Sequence, residues 1–520
     1  MKVLRIGKVR DGSKVGVFIF CQQHAREWVT PLTCWETAER LLKNYATDPQ
    51  TKELVDNLDI FILPSVNPDG SHYSRYDFAA QRRNLINHCA PGTFQDPLAR
   101  NAWGVDLNRN NTVGSFFDGY DGADNNCVSD TYAGTGELSE PEIRNEHWIV
   151  DTFTNIKFSI NIHTYGGYFM WAPGSYIANG RVTLPAPNIG IERYFFDVAD
   201  TILARIKEYR NTVIEPERTG PIADVLYSAA GNSADDQWYR RGIISYSFEA
   251  GSRTFAVDQA TGAITRTDVA GGGLAGFRPD YATEGRPEAM EFTDGNFGLM
   301  ESALQYSRDT TPPVTSIEYD TLDSAGAPIN FRFNWPGEAA VIRYTTDGST
   351  PTQASQTYEN QGPRRPGQVL TISKAGATTV KWIATDIKGN TSAVQSQTFQ
   401  IGRDVSGTVP ATLSLSLGNA ASFGTFTPGL AKEYEAGTLA NVISTAGDAK
   451  LSVSDPGHLT NGAFSLPQAL QVTITPDSWN GPVSNATAAI AFKQPIAATD
   501  PLRTGTYSKT LTFTLSTTTP

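Results

Sequence analysis

The chain has 520 residues, more than one hydrophobic core usually serves, so roughly two to four domains are expected. Its hydrophobic (39%), aromatic (10%) and charged (18%) fractions are those of folded globular protein and exclude a chain that is disordered throughout. A formal net charge of −12 with no Lys/Arg cluster excludes nucleic acid or an anionic membrane as the main partner, since both reward concentrated positive charge.

The first apolar stretch, Val15–Cys21, has the length of a buried strand and falls well short of the roughly eighteen residues of a membrane span. Thr30 and Pro31 then read as the N-cap and first residue of a helix, with Leu32, Trp35, Ala38, Leu41, Leu42 and Tyr45 following at helical spacing. Further buried strands read at Ile60–Leu63, Phe158–His163 and Ile243–Phe248. This alternation predicts an α/β domain over residues 1–308, a mixed sheet covered by helices. Asp309-Thr-Thr-Pro-Pro313 breaks the last helix, and the short alternating strands beyond it predict an all-β domain over 311–402. A second break at Arg403–Pro410 opens a Ser/Thr/Ala-rich segment, alternating in Thr412–Leu417 and Thr510–Leu515, which predicts a β-sandwich over 406–520. All four cysteines, Cys21, Cys34, Cys89 and Cys127, lie in the first quarter of the chain, so one or two disulfides and free buried thiols are both open.

His24 and Glu27 follow the first strand directly, and a His and a carboxylate three apart can reach one ion if the turn is helix-like. His163 closes a later strand, and sites in open α/β sheets gather at the carboxyl ends of strands. Taken alone, the pair reads as a solvated surface pair and His163 as a core histidine. The wider set decides otherwise. Asn67-Pro-Asp-Gly70, Arg82-Arg-Asn84, Gly104-Val-Asp-Leu-Asn-Arg-Asn110, Ser139-Glu-Pro-Glu142, His163-Thr-Tyr165 and Tyr246-Ser-Phe-Glu249 occur in one order along the chain. Together they resemble the pancreatic-type zinc metallocarboxypeptidases of the A/B type, over residues 3–308.

The resemblance implies one Zn2+ held by His24, Glu27 and His163, with a fourth position left for water. It implies Glu249 as general base and Arg82 as the cation that stabilises the oxyanion, Arg83 being the alternative one residue on. Asn108 and Arg109 correspond to the clamp on the substrate's free carboxylate, Tyr227 to a tyrosine that closes over it, and Arg26 to an outer contact. Asp106 corresponds to the carboxylate that orients the first zinc histidine. Taken alone, Glu249 would read as a strand-end carboxylate paired with an Arg, and Asp106 as a cap. Side-chain preference turns on Gly231-Asn-Ser-Ala-Asp-Asp-Gln-Trp-Tyr239, which reads as one residue longer than the family's turn. Asp235 there predicts a basic C-terminal residue and Ala234 an apolar one; the reading leans to basic or mixed.

By the same resemblance Cys89 and Cys127 form a disulfide. The family carries more chain before its first zinc histidine than the 23 residues here, so an opening helix, an edge strand and any signal peptide are expected to be missing. Tyr344-Thr-Thr-Asp-Gly-Ser-Thr-Pro351 and Ala384-Thr-Asp-Ile-Lys-Gly-Asn390 resemble the immunoglobulin-like C-terminal domain of chitobiase, and the last domain resembles sandwiches appended to extracellular bacterial enzymes. Such tails imply a secreted protein, with contact to a cell surface or polymer through them. The expected partners are peptides with a free C-terminus. A cell-wall peptide hydrolase and a non-catalytic binding protein on a peptidase scaffold are the alternatives.

Overall fold

The computed structural model describes residues 1–90, 97–251, 254–258, 260–267, 274–319, 328–359, 367–401 and 409–518. They form two compact units, divided between residues 402 and 403. Residues 403–408 of the predicted break at Arg403–Pro410 lie outside the described residues.

The first unit is built on a mixed sheet of seven described strands: β1 (Leu4–Ile6), β2 (Val15–Cys21), β3 (Leu58–Leu63), β4 (Ile156–Thr164), β5 (Tyr168–Trp171), β6 (Thr219–Pro221) and β7 (Ile244–Ala250). Their order is β1-β3-β2-β4-β7-β5-β6. The centre is parallel, with β3, β2, β4 and β7 running together, while β1 and β5 pair antiparallel to their neighbours β3 and β7. A strand covered on both faces must be apolar at every position, which explains the unbroken run in β2. Val17, Ile19 and Cys21 enter one core and Phe18 and Phe20 the other, on opposite faces of the sheet.

Helices α1 (Thr30–Asn44), α2 (Pro49–Asn57), α3 (Pro68–Tyr76), α4 (Pro141–Thr152), α5 (Ile189–Arg210), α6 (Ser233–Arg241) and α7 (Arg286–Arg308) belong to this sheet domain. In α1 the predicted cap is displaced. Val29 is the N-cap, and the Thr30 hydroxyl donates to the Glu27 carbonyl at 3.0 Å. The buried stripe of α1 is also rotated from the predicted one: Thr33, Cys34, Thr37, Ala38 and Leu41 face inward, while Trp35 and Leu42 are exposed. Two threonines can lie inward because each hydroxyl donates to its own helix, Thr37 to Thr33 O at 2.7 Å and Thr33 to Val29 O.

Two disulfides are present, Cys89–Cys127 as expected and Cys21–Cys34, which ties the end of β2 to α1. Residues 316–319, 329–334 and 370–372 form one antiparallel sheet, and 340–345, 356–357, 376–386 and 395–401 a second. Between them lies an aromatic core that includes Phe331, Phe333, Tyr344, Trp382 and Phe399. This sandwich sits on the start of α5: Ile189 packs against its core, and Asn188 donates to Tyr358 O at 2.7 Å.

The second unit is a separate all-β body, with antiparallel sheets of 413–417, 432–444, 483–496 and 471–475 and of 478–479, 449–453 and 513–516. Its core includes Tyr434, Leu451, Leu470, Ile490 and Phe492. Among the described residues no helix is long and apolar enough to cross a membrane.

Candidate metal centre and active site

The carboxyl end of β2 delivers His24 and Glu27, and the carboxyl end of β4 delivers His163, so two adjacent parallel strands aim their exits at one point. His24 Nδ1 lies 2.6 Å from Glu27 Oε1, and His163 Nδ1 lies 3.1 Å from both His24 Nδ1 and Glu27 Oε2. All three side chains are buried, and their donor atoms lie within 4.8 Å of one another. Two imidazoles and one carboxylate converging in this way are a donor set that suits zinc with a further position free. Burial works against the Glu27 charge, but the two imidazoles beside it win and hold the carboxyl far below its ordinary range. Burial lowers the His163 ring, favouring the neutral form a ligand needs.

Around this centre stands a shell of fixed partners. Asp106, completely buried, takes His24 Nε2 at 3.1 Å on one oxygen and Arg82 Nε and Nη2 at 2.9 and 2.7 Å on the other. Burial alone would raise its carboxyl, yet Arg82, Arg109 and His24 hold it well below the ordinary value. Arg82 keeps Nη1 toward the metal side, 3.4 Å from His24 Nδ1. Asn108 Nδ2 lies 3.3 Å from His163 Nε2, and its side-chain oxygen accepts from Ser233 N at 3.0 Å. Glu249 sits on β7 directly beside His163 on β4. Its carboxylate makes no hydrogen bond or ion pair with the described residues, and burial together with the Glu27 charge raises it well above the ordinary range against the pull of Arg82 and Arg109.

Above the centre opens a cleft of about 530 Å³ whose walls include Arg26, Arg82, Arg109 and Tyr227. Arg109 is pinned from below, donating from Nε to Gly122 O at 2.6 Å and from Nη1 to Asn108 O at 2.8 Å. The Tyr227 ring, half exposed, has its centroid 5.9 Å from the Arg109 guanidinium carbon. Arg26 stacks on Phe277 at 4.3 Å and reaches Asp130 at 3.3 Å.

Asp235 stands in the first turn of α6. It is completely buried and does not line the cleft. Its oxygens accept from Gly174 N at 2.7 Å, Ser175 Oγ at 2.9 Å and Asn232 Nδ2 at 2.7 Å, and burial pushes the carboxyl up to about 6. Both carboxylate oxygens are thus engaged within the fold. Ala234 instead joins an apolar cluster with Met170, Ile222 and Ala229.

Sequence reasoning missed a buried polar chain beneath the site. Glu146 accepts from Gln23 Nε2 at 2.8 and 3.0 Å, Gln23 Oε1 accepts from Asn161 at 2.7 Å, and Asn161 also donates to Ser233 Oγ at 2.8 Å. The signal was available: Asn161 stands two residues before His163 and therefore on the same face of the strand.

A buried donor set of two histidines and a glutamate at the carboxyl edge of an α/β sheet, beside an arginine-walled cleft, is the class of site described. The chain belongs to the zinc carboxypeptidase family, whose family model matches residues 1–266, and residues 324–396 match the chitobiase/beta-hexosaminidase C-terminal domain. It is 31% identical to carboxypeptidase A2 of Rattus norvegicus over 257 residues, covering 49% of this chain and 55% of that one. It is 30% identical to carboxypeptidase B of Bos taurus over 249 residues, 48% of this chain and 54% of that one. The chain thus spans about half the length of the curated relatives it matches. Among solved structures, carboxypeptidase A from Helicoverpa armigera aligns with a TM-score of 0.46 at 23% identity, covering 59% of this chain and 66% of that one.

Proposed function

We propose that this chain is a zinc carboxypeptidase that releases single C-terminal residues from peptides. The observation that carries the reading is the convergence of His24, Glu27 and His163 on one point beneath an arginine-walled cleft. Zinc held there would polarise the scissile carbonyl and acidify a water. The rest falls to the chain. Arg109, fixed by its backbone bonds, and Asn108 receive the terminal carboxylate, a task suited to a guanidinium with an amide donor. Tyr227 stands at the mouth and closes over the bound residue. Arg82, its Nε and Nη2 occupied by Asp106, turns Nη1 toward the developing oxyanion. Glu249, beside His163 on the adjacent strand, takes a proton from the attacking water and passes it to the leaving amine.

The engagement of Asp235 and the apolar company of Ala234 support a preference for apolar C-terminal residues, where the sequence reading leans to basic or mixed. The two disulfides fit an exported protein, and residues 311–402 and 406–520 read as its accessory domains. The test is release of C-terminal residues from blocked dipeptides by wild type and Glu249→Gln, with zinc content measured for both. One zinc per chain in both proteins, with turnover at least about 100-fold lower in the variant, is expected. Zinc bound by a wild type that cleaves no peptide would leave only a binding scaffold.

A further inference from the structure

The second unit contains a cleft of about 880 Å³, bounded by the loop 417–428 on one side and the segment 502–511 on the other. A volume of this size lies in the range of small-molecule sites, roughly 300–1,000 Å³. Its inner wall is carbon, formed by Leu470, Phe492, Leu511 and Phe513. Two phenol oxygens nearby accept backbone hydrogen bonds, Tyr434 from Thr427 N and Tyr507 from Arg503 N, each at 2.8 Å. None of the polar side chains lining the cleft is buried, whereas Leu470 and Phe492 are. Its charge is one-sided. Arg503 and Lys509 line it, no acidic side chain does, and neither cation forms an ion pair among the described residues. Arg503 is held by stacking, its guanidinium carbon 3.3 Å from the Phe464 ring centroid.

An apolar interior with unpaired positive charge at its margin matches an amphiphile with an anionic head. We propose that this cleft binds a free long-chain carboxylate, with the acyl chain against Leu470, Phe492, Leu511 and Phe513 and the head group at Arg503 and Lys509. The site is independent of the metal centre and stands whether or not the first unit cleaves peptides.

The test uses the full chain and cis-parinaric acid as fluorescent probe, displaced by decanoate, dodecanoate and tetradecanoate below their micellar concentrations. Burial of methylenes predicts that each two-carbon step tightens binding about 15-fold. Methyl dodecanoate, which keeps the chain and loses the charge, is expected to bind roughly ten-fold more weakly than dodecanoate. Arg503→Glu combined with Lys509→Glu changes only exposed residues and should abolish that advantage of acid over ester. Affinity independent of chain length, or uptake only from anionic vesicles, would overturn the proposal. So would a doubly reversed variant that binds dodecanoate as tightly as wild type, since the ligand would then sit elsewhere.

Discussion

Glu146 offers a direct measurement of what the buried polar chain beneath the site costs. It lies on α4, completely enclosed, and its only hydrogen-bond donor among the described residues is Gln23 Nε2. Burial pushes its carboxyl from 4.5 up to about 8; the Gln23 bond opposes this, and Asp236 and Glu142 add to it. The native state therefore keeps a proton that the unfolded chain releases near 4.5. With a folded value raised above the unfolded one, the contribution is fully present below pH 4.5 and is lost as pH rises through 8. The difference of 3.5 units sets a ceiling of about 5 kcal/mol, lost at about 1.4 kcal/mol per pH unit across that window. Glu146→Gln mimics the neutral carboxyl and removes the slope. Urea unfolding of the zinc-free proteins should show near-equal stability at pH 5 and a variant more stable by several kcal/mol at pH 9. Parallel pH profiles would refute the reasoning, because they would mean that Glu146 releases its proton in the folded protein as readily as in the unfolded one.

Three further outcomes follow from the same geometry. Asp106→Asn leaves the buried Arg82 without its counter-charge and the His24 ring without its anchor, and should weaken zinc binding about 10–100-fold in chelator competition. Ala234→Asp should shift the ratio of Lys to Phe release by about ten-fold or more toward Lys, whereas Asp235→Asn should lower the unfolding temperature without changing that ratio. Reduction of Cys89–Cys127, which closes 38 residues, should cost about 4 kcal/mol in the loop-closure account, and loss of Cys21–Cys34, closing 13, about 3 kcal/mol, both readable by denaturant unfolding with and without reductant.

The strands of the sheet were legible because burial on both faces leaves a short, unbroken apolar run rich in β-branched and aromatic residues: Val15–Cys21 carries no polar residue, and the observed strand has those bounds. The inward face of α1 was not, because a hydrophobic count passes over threonine. Thr33 and Thr37 are core residues there by virtue of bonds to their own helix, and Trp35 and Leu42, which the count favoured, face solvent. Cys21–Cys34 was left open for a related reason. Both cysteines read as small core residues, and only the close approach of β2 to α1 decides that they meet.

The candidate site divides along the same line. His24, Glu27, Asp106, Asn108 and Arg109 lie in short segments whose residue order is itself a signature, and strand ends then bring them within reach of His163. Residue order could not settle Ala234 against Asp235. Neighbours at the start of a helix point about 100° apart, so a shift of one residue in where the helix begins changes which surroundings each side chain meets. In α6 the choice is made by Asn232, which caps the helix by accepting from Asp235 N at 3.0 Å and donates to the Asp235 carboxylate. Two further donors, Gly174 N and Ser175 Oγ, complete its coordination. Three residues from two distant segments thus draw the charge inward and leave Ala234 in the apolar cluster, a decision made by tertiary hydrogen bonds that spacing along the chain cannot express.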